Sequence, residues 1–147
     1  FWNQEDNEDT LAKAAFGNEP GINHSSEIGF HLDSYVGYSN VDGHRVHGAS
    51  GGLATWLLET MLGEGLVDHV ICVVHNPDPK RLYKFSVLHS VDEIRGASRS
   101  CYYPVELSEV IDYILQHDGD YAIIGLPCFL KGLRLAARSS AQSRSSV

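Results

Sequence analysis

The sequence has few cysteines, a deficit of basic side chains and no long apolar run. Its three cysteines, Cys72, Cys101 and Cys128, are widely spaced and odd in number. That fits reduced thiols in a cytoplasmic compartment better than a disulfide framework. With 19 acidic against 11 basic residues the formal net charge is −8, so a nucleic-acid backbone would be repelled. No apolar stretch reaches the roughly 18 residues of a membrane-spanning helix. The first residues, FWNQEDNEDT, lack the basic flank, apolar centre and cleavage site of a signal peptide. They begin on Phe rather than Met, which leads us to expect a processed or excised piece. No internal repeat is visible.

What is present suffices for a folded domain. The 147 residues are 43% hydrophobic and 10% aromatic, which argues for a core and against disorder. Residues 1–10 are polar and acidic, an expected frayed start, and 11–16 suggest a short helix closed by Gly17 and Pro20. Tyr35, Val36 and Tyr38 suggest a strand, and Asn40–Gly43 a turn. From Gly52 onward, Leu53, Trp56, Leu57 and Met61 recur at helical spacing, which predicts a helix over 51–62 with those four side chains buried. Val67–Val74 reads as a short buried strand and Leu82–His89 as an alternating one. A single helical turn is expected over 91–97, a helix from about Val105 to Ile114, a buried strand at Tyr121–Gly125, and a last helix over 129–137. The strands at 70–74 and 121–125 are expected to be parallel neighbours. The fold class is therefore α/β: a single domain with a mixed or mostly parallel sheet flanked by helices. The expected organisation is a polar N-terminal segment over 1–27, the α/β domain over 28–138 and a disordered tail over 139–147.

Two corners share one design, small residues leading into a helix. They are GASGG at 48–52 and GLPC at 125–128. GASGG reads in three ways. Ser50 can cap a helix between turn-making glycines. Backbone N–H groups at the helix start can hold a phosphate or carboxylate. G-x-S-x-G is also the nucleophile elbow of serine hydrolases, which needs a buried strand before it; here the polar VDGHRVH precedes. Cys128 is placed to feel the positive end of a helix dipole, which favours the thiolate that ligates metal or attacks; a buried, space-filling cysteine is the other reading. Cys72 lies inside an apolar strand and reads as core, and Cys101 is ambiguous. His44 and His47, three apart, read as exposed polar histidines because no third ligand stands nearby.

Three blocks in order, HRVHGASGGLATWLLETMLGEGLVDHVICVV, VDEIRGASRSCYYPVELSEVI and YAIIGLPCFLKGLRLA, resemble the beta-subunit family of coenzyme F420 hydrogenases and dehydrogenases over about residues 36–137. Phe129 stands where the family has Gln, and Cys101 where Lys or Arg is usual. The resemblance implies a flavoprotein that binds FAD and usually 4Fe-4S iron–sulfur clusters. Its implied activity is oxidoreductase chemistry: electron or hydride transfer between a cluster or an F420-like donor and a substrate. A redox partner protein or a small-molecule substrate would be its counterpart. It carries FAD contacts onto Ser50, Gly51, Gly52 and Thr55 and onto the Gly125–Pro127 turn, Gly125 and Pro127 included. Cys128 matches the family's cluster cysteine. Three cysteines cannot supply four thiolates and there is no CxxCxxC module, so a cluster would need residues beyond this chain, and the chain alone is expected to be inactive. A non-catalytic scaffold of the same fold and a hydrolase using Ser50 are the alternatives. The two corners are expected to share one cleft.

Overall fold

The computed structural model describes residues 7–41, 43–97 and 103–144. Cys101 lies outside the described residues. The chain divides into two compact units, Phe1–Val36 and Gly37–Val147.

In the first unit, helix α1 (Glu8–Phe16) starts three residues earlier than its apolar pattern predicts. The cause is local: Asn7 accepts a hydrogen bond from the Thr10 N–H at 2.9 Å, and Glu8 and Asp9 sit in the first turn, where the helix dipole favours acidic groups. Two three-residue strands follow, β1 (Asn23–Ser25) and β2 (Gly29–His31), paired antiparallel.

The second unit holds the core. Its sheet has the order β4-β3-β5, with β3 (His69–His75), β4 (Tyr83–Leu88) and β5 (Tyr121–Ile123). β3 pairs antiparallel with β4 and parallel with β5, Val70 lying opposite Ala122. The sheet is mixed, and the expected parallel neighbours are found. Successive side chains of β3 point to opposite faces. Val70 and Cys72 join Leu58, Leu88, Ile94 and Ala122 on one face; Ile71 joins Phe85 and Val110 on the other. Val70 and Ile71 are fully buried. The first face is covered by α3 (Leu53–Gly63) and α4 (Val91–Gly96), the second by α5 (Ser108–Gln116) and the start of α6 (Pro127–Arg144).

Each connection has a visible cause. Beyond α3, Gly65 takes a left-handed φ of 69°. Leu66 then donates to the Met61 carbonyl at 2.9 Å and Gly65 to Leu62 at 3.2 Å, the Schellman arrangement. α4 starts with a capping box: Ser90 Oγ accepts from the Glu93 N–H, and the Glu93 carboxylate accepts from Ser90 N–H at 3.0 Å and His89 N–H at 2.8 Å. The bond from the His89 backbone holds the Glu93 carboxyl below its ordinary value.

Three expectations change. Tyr35, Val36 and Tyr38 form no strand; Tyr35 and Val36 are exposed, and from this stretch Ser39 makes a single bond to the Gly51 carbonyl, at 2.9 Å. One backbone bond is not a ladder. The buried stripe of α3 is also not the one its apolar spacing suggests. Leu53, Trp56 and Leu57 are 40%, 37% and 50% exposed, while Leu58 and Glu59 are buried and Met61 and Leu62 pack on the core. The last two turns of the helix supply the residues that pack on the core, Leu58, Met61 and Leu62. Finally, α6 continues to Arg144, into the residues expected as a disordered tail.

Candidate functional site

Helix α2 (His44–His47) runs into α3 through the glycine turn. Ser50, Gly51 and Gly52 take φ values of 49°, 87° and 72°, three consecutive residues in the left-handed region. Ser50 caps nothing: the residue before α3 is Gly52, which has no side chain to offer. The glycines answer to the chain itself. A Cβ on Gly52 would run into the His44 carbonyl. One on Gly48 would lie 2.6 Å from that oxygen and 2.8 Å from the Gly52 Cα, and one on Gly51 2.9 Å from the Tyr38 Cβ. Gly48 N–H donates to the His44 carbonyl at 2.8 Å, and Gly52 N–H to Ala49 at 3.1 Å. The elbow of a serine hydrolase is not built, because a helix, α2, stands where its strand would be.

Behind the turn lies a charged group that the sequence reading misses. His44, read as exposed, is buried, its side chain 4% accessible. Its imidazole Nδ1 lies 3.3 Å from the Val41 carbonyl. Nε2 lies 3.0 Å from Glu59 Oε2, yet out of line for a hydrogen bond, so Nε2 is buried without one. Arg95 of α4 donates Nε–H to both Glu59 oxygens, at 3.3 and 3.2 Å, and its Nη2 lies 3.2 Å from Oε2. A carboxylate buried between helices is costly unless a cation compensates it, and Arg95 does so here. The three helices α2, α3 and α4 thus meet on one carboxylate. A cavity of about 210 Å³ opens beside them, lined by Gly43, His44, His47, Gly48, Thr55, Glu59 and Arg95. The only sequence signal was an acidic residue inside the apolar run LLETML. Charge alone puts glutamate on the surface, and its partners lie 15 and 36 residues away in sequence.

The second corner is built differently. Ile124 N–H still donates to the Ile71 carbonyl at 3.0 Å, extending the parallel ladder past β5. Pro127 opens α6, a position that needs no N–H. Cys128 follows in the first turn and is exposed, while Cys72 is buried in the sheet. Phe129 meets Phe85 edge-to-face at 5.5 Å on the second face. A Cβ on Gly125 would lie 3.6 Å from Phe85, an ordinary contact.

Of the residues singled out in sequence, Ser50, Gly51, Gly52 and Thr55 are brought together by the α2–α3 connection. Gly125, Pro127 and Cys128 are brought together by the β5–α6 connection. The helices that the two corners begin pack on opposite faces of the sheet. Thr55 and Gly48 border the cavity; Gly125, Pro127 and Cys128 do not, so this cavity is not the cleft the two corners were expected to share. The donor set for an iron–sulfur cluster is incomplete: among the described residues no group of three or more His, Cys, Asp or Glu side chains could hold a metal ion. For a nucleotide cofactor the fit is uneven. The glycine turn is filled by its own backbone, whereas the cavity is lined by the polar side chains of His44, Thr55, Glu59 and Arg95.

A mixed three-stranded sheet with helices on both faces and a glycine turn opening one of them defines an α/β domain. Residues 34–112, more than half of the chain, match the family described as coenzyme F420 hydrogenase/dehydrogenase, beta subunit N-term. The chain belongs to that family. Its fold is similar to a chain of the F420-reducing NiFe hydrogenase complex from Methanosarcina barkeri, with a TM-score of 0.59 and 23% identity over 67% of this chain and 34% of that chain. The chain therefore spans about a third of the length of that relative. No curated protein matches the sequence. Among the described residues no helix is long and apolar enough to cross a membrane.

Proposed function

We propose that this chain is the N-terminal part of a flavin-dependent oxidoreductase of the F420 hydrogenase/dehydrogenase beta-subunit type. The single observation that carries the reading is the family match over residues 34–112, which includes the glycine turn, α3 and β3. In this reading Ser50, Gly51, Gly52 and Thr55 contact FAD, as do Gly125 and Pro127 at the strand end of β5. Bound flavin supplies the hydride or electron chemistry between an F420-like donor or a cluster and the substrate. The protein holds the cofactor, orients it and keeps water from it. Cys128, exposed in the first turn of α6, gives one thiolate to a 4Fe-4S cluster whose other ligands come from outside this chain. An exposed free thiol also suits a reducing, cytoplasmic setting.

The exposed apolar residues Leu53, Trp56 and Leu57 on α3 favour a protein counterpart. The relative of similar fold is part of a hydrogenase complex, and we extend that to a redox partner for this chain. The test is a fluorescence titration of FAD into the purified 147-residue chain. Saturable quenching, weakened by Thr55→Val, is expected. A folded chain, shown by circular dichroism, that leaves FAD fluorescence unchanged overturns the flavin reading.

A further inference from the structure

At the end of the sheet where β3 and β5 begin and β4 ends, histidines and tyrosines gather. The β3–β4 register, continued one pair beyond Val70 and Leu88, sets His69 opposite His89. Asn76 N–H donates to the Leu82 carbonyl at 2.7 Å, so the even-numbered residues of β3 make the hydrogen-bonded pairs of this ladder. His69 and His89 therefore form a non-hydrogen-bonded pair, the kind that brings opposite side chains closest. Their Nδ1 atoms lie 3.2 Å apart. Tyr121 of β5 stands beside His69 with ring centroids 4.7 Å apart, and Tyr113 of α5 meets it edge-on at 5.6 Å. The half-buried His69 is thus fixed between two aromatic rings, while His89 is exposed. His117 stacks on Tyr113, but its Nδ1 is engaged by the Tyr113 carbonyl at 3.0 Å.

One hydrogen between the two Nδ1 atoms accounts for their approach, and so does one metal ion. Two imidazole nitrogens at ~2.0–2.1 Å from the same ion stand about 3.3–3.4 Å apart at a tetrahedral angle and about 2.9 Å apart at a right angle. The observed 3.2 Å lies between these values. A rotation of the exposed His89 ring brings both lone pairs onto one ion.

The surroundings favour a cation there. The Glu93 carboxylate accepts the His89 backbone N–H at 2.8 Å. Burial, then the nearby Tyr113, Asp118 and Asp68, raises the Tyr121 phenol above its ordinary value. Two aspartates therefore act on the ring that lies against His69. Asp68 Oδ2 and His69 Nε2 both border Gly119, where a Cβ would lie 3.0 and 3.3 Å from them. A carboxylate on the Nε2 side favours a hydrogen on that nitrogen, which leaves the Nδ1 lone pair for an ion.

We propose that His69 and His89 form a site for one late first-row divalent cation, Zn²⁺, Ni²⁺ or Cu²⁺, bound through both Nδ1 atoms. Imidazole suits these ions, whereas Mg²⁺ and Ca²⁺ take oxygen ligands. The ion replaces the hydrogen between the two nitrogens: the donor ring carries its hydrogen on Nε2 instead of Nδ1, so no net proton is lost. Among the described residues no third His, Cys, Asp or Glu completes the set, so water fills the other positions. The site uses no residue of either glycine corner and stands without the flavin reading.

The test is a titration of Zn²⁺ into the full 147-residue chain, followed by long-range nitrogen–proton NMR of its eight histidines. The Nδ1 signals of His69 and His89 should move together and saturably. His89→Gln, with its amide spectrum otherwise native, should weaken the response of His69 about tenfold or more. His69→Gln should do the same to His89. His75→Gln, at the other end of β3, should leave both responses within about twofold of the native chain. Mg²⁺ should move neither ring. Rings that stay unmoved at millimolar Zn²⁺ overturn the inference. A His69 response that survives His89→Gln undiminished also overturns it, as does an equal response to Mg²⁺. FAD takes no part in this readout, so the metal site and the flavin reading fail separately.

Discussion

At 48–52 the chain doubles back on itself between two helices; at 125–128 it runs straight from a strand into a helix. Both corners carry glycine, but the glycines answer different demands. Gly48, Gly51 and Gly52 sit where a Cβ would strike backbone or a neighbouring Cβ, and Gly51 and Gly52 need a left-handed φ. Gly125 has room for a methyl group and no positive φ. Glycine-richness at a helix start is therefore not by itself a mark of a ligand. At the first corner, close packing of the chain suffices to explain it. At the second, packing does not require the glycine.

The sharpest way to break this comparison is Gly52→Ala. The new Cβ meets the His44 carbonyl and the residue must keep φ near 72°. A loss above ~3 kcal/mol is expected, combining left-handed strain with displacement of α2. A denaturant melt showing less than ~1 kcal/mol would refute the packing account of the turn.

Next in size is a pair on α3, the helix that this corner begins. Leu58→Ala should cost about 2–5 kcal/mol, as a core truncation does. Trp56→Ala, which the apolar spacing alone would place in that class or above, should cost less than ~2 kcal/mol because the indole is 37% exposed. Equal losses in urea melts would restore the stripe expected from sequence.

Gly125→Ala sharpens the other side. Stability should change by less than ~1 kcal/mol, since the added methyl makes an ordinary contact 3.6 Å from Phe85. If FAD affinity nevertheless falls in the fluorescence titration, the methyl is obstructing a ligand and not the fold. If neither changes, Gly125 has no part in the site.

The smallest expected effect is at the capping box of α4, which carries Arg95. The Glu93 carboxyl is held below its ordinary value of 4.5, chiefly by the His89 N–H. A depressed carboxylate stabilises the fold fully above its unfolded value, and the contribution is lost as pH falls through the folded one. The difference in melting temperature between the native chain and Glu93→Gln should thus be constant above about pH 4.5 and shrink below it. A difference that grows on acidification would contradict the box.

Much of this was legible in the chain. The β-branched run at 70–74 and the short YAIIG segment are apolar without alternation, and they form parallel neighbours in the buried sheet. The single helical turn expected over 91–97 is found as α4. The family resemblance rests on motifs that survive as sequence and needs no coordinates. These features are local, set by propensity, periodicity or hydrogen bonds between residues three and four apart.

What only the tertiary structure decided is non-local. Which stripe of α3 is buried depends on what the fold packs against it, so the apolar Leu53, Trp56 and Leu57 stay at the surface while Glu59 goes inside. Glu59 can do so only because Arg95 arrives from another helix to meet its charge. The same crossing of α2 over the start of α3 requires the glycines and leaves the His44 Nε2 buried without a hydrogen bond. A sequence states which residues can carry a charge, but whether a charge is tolerated in the interior is set by what the fold places within about 3–4 Å of it.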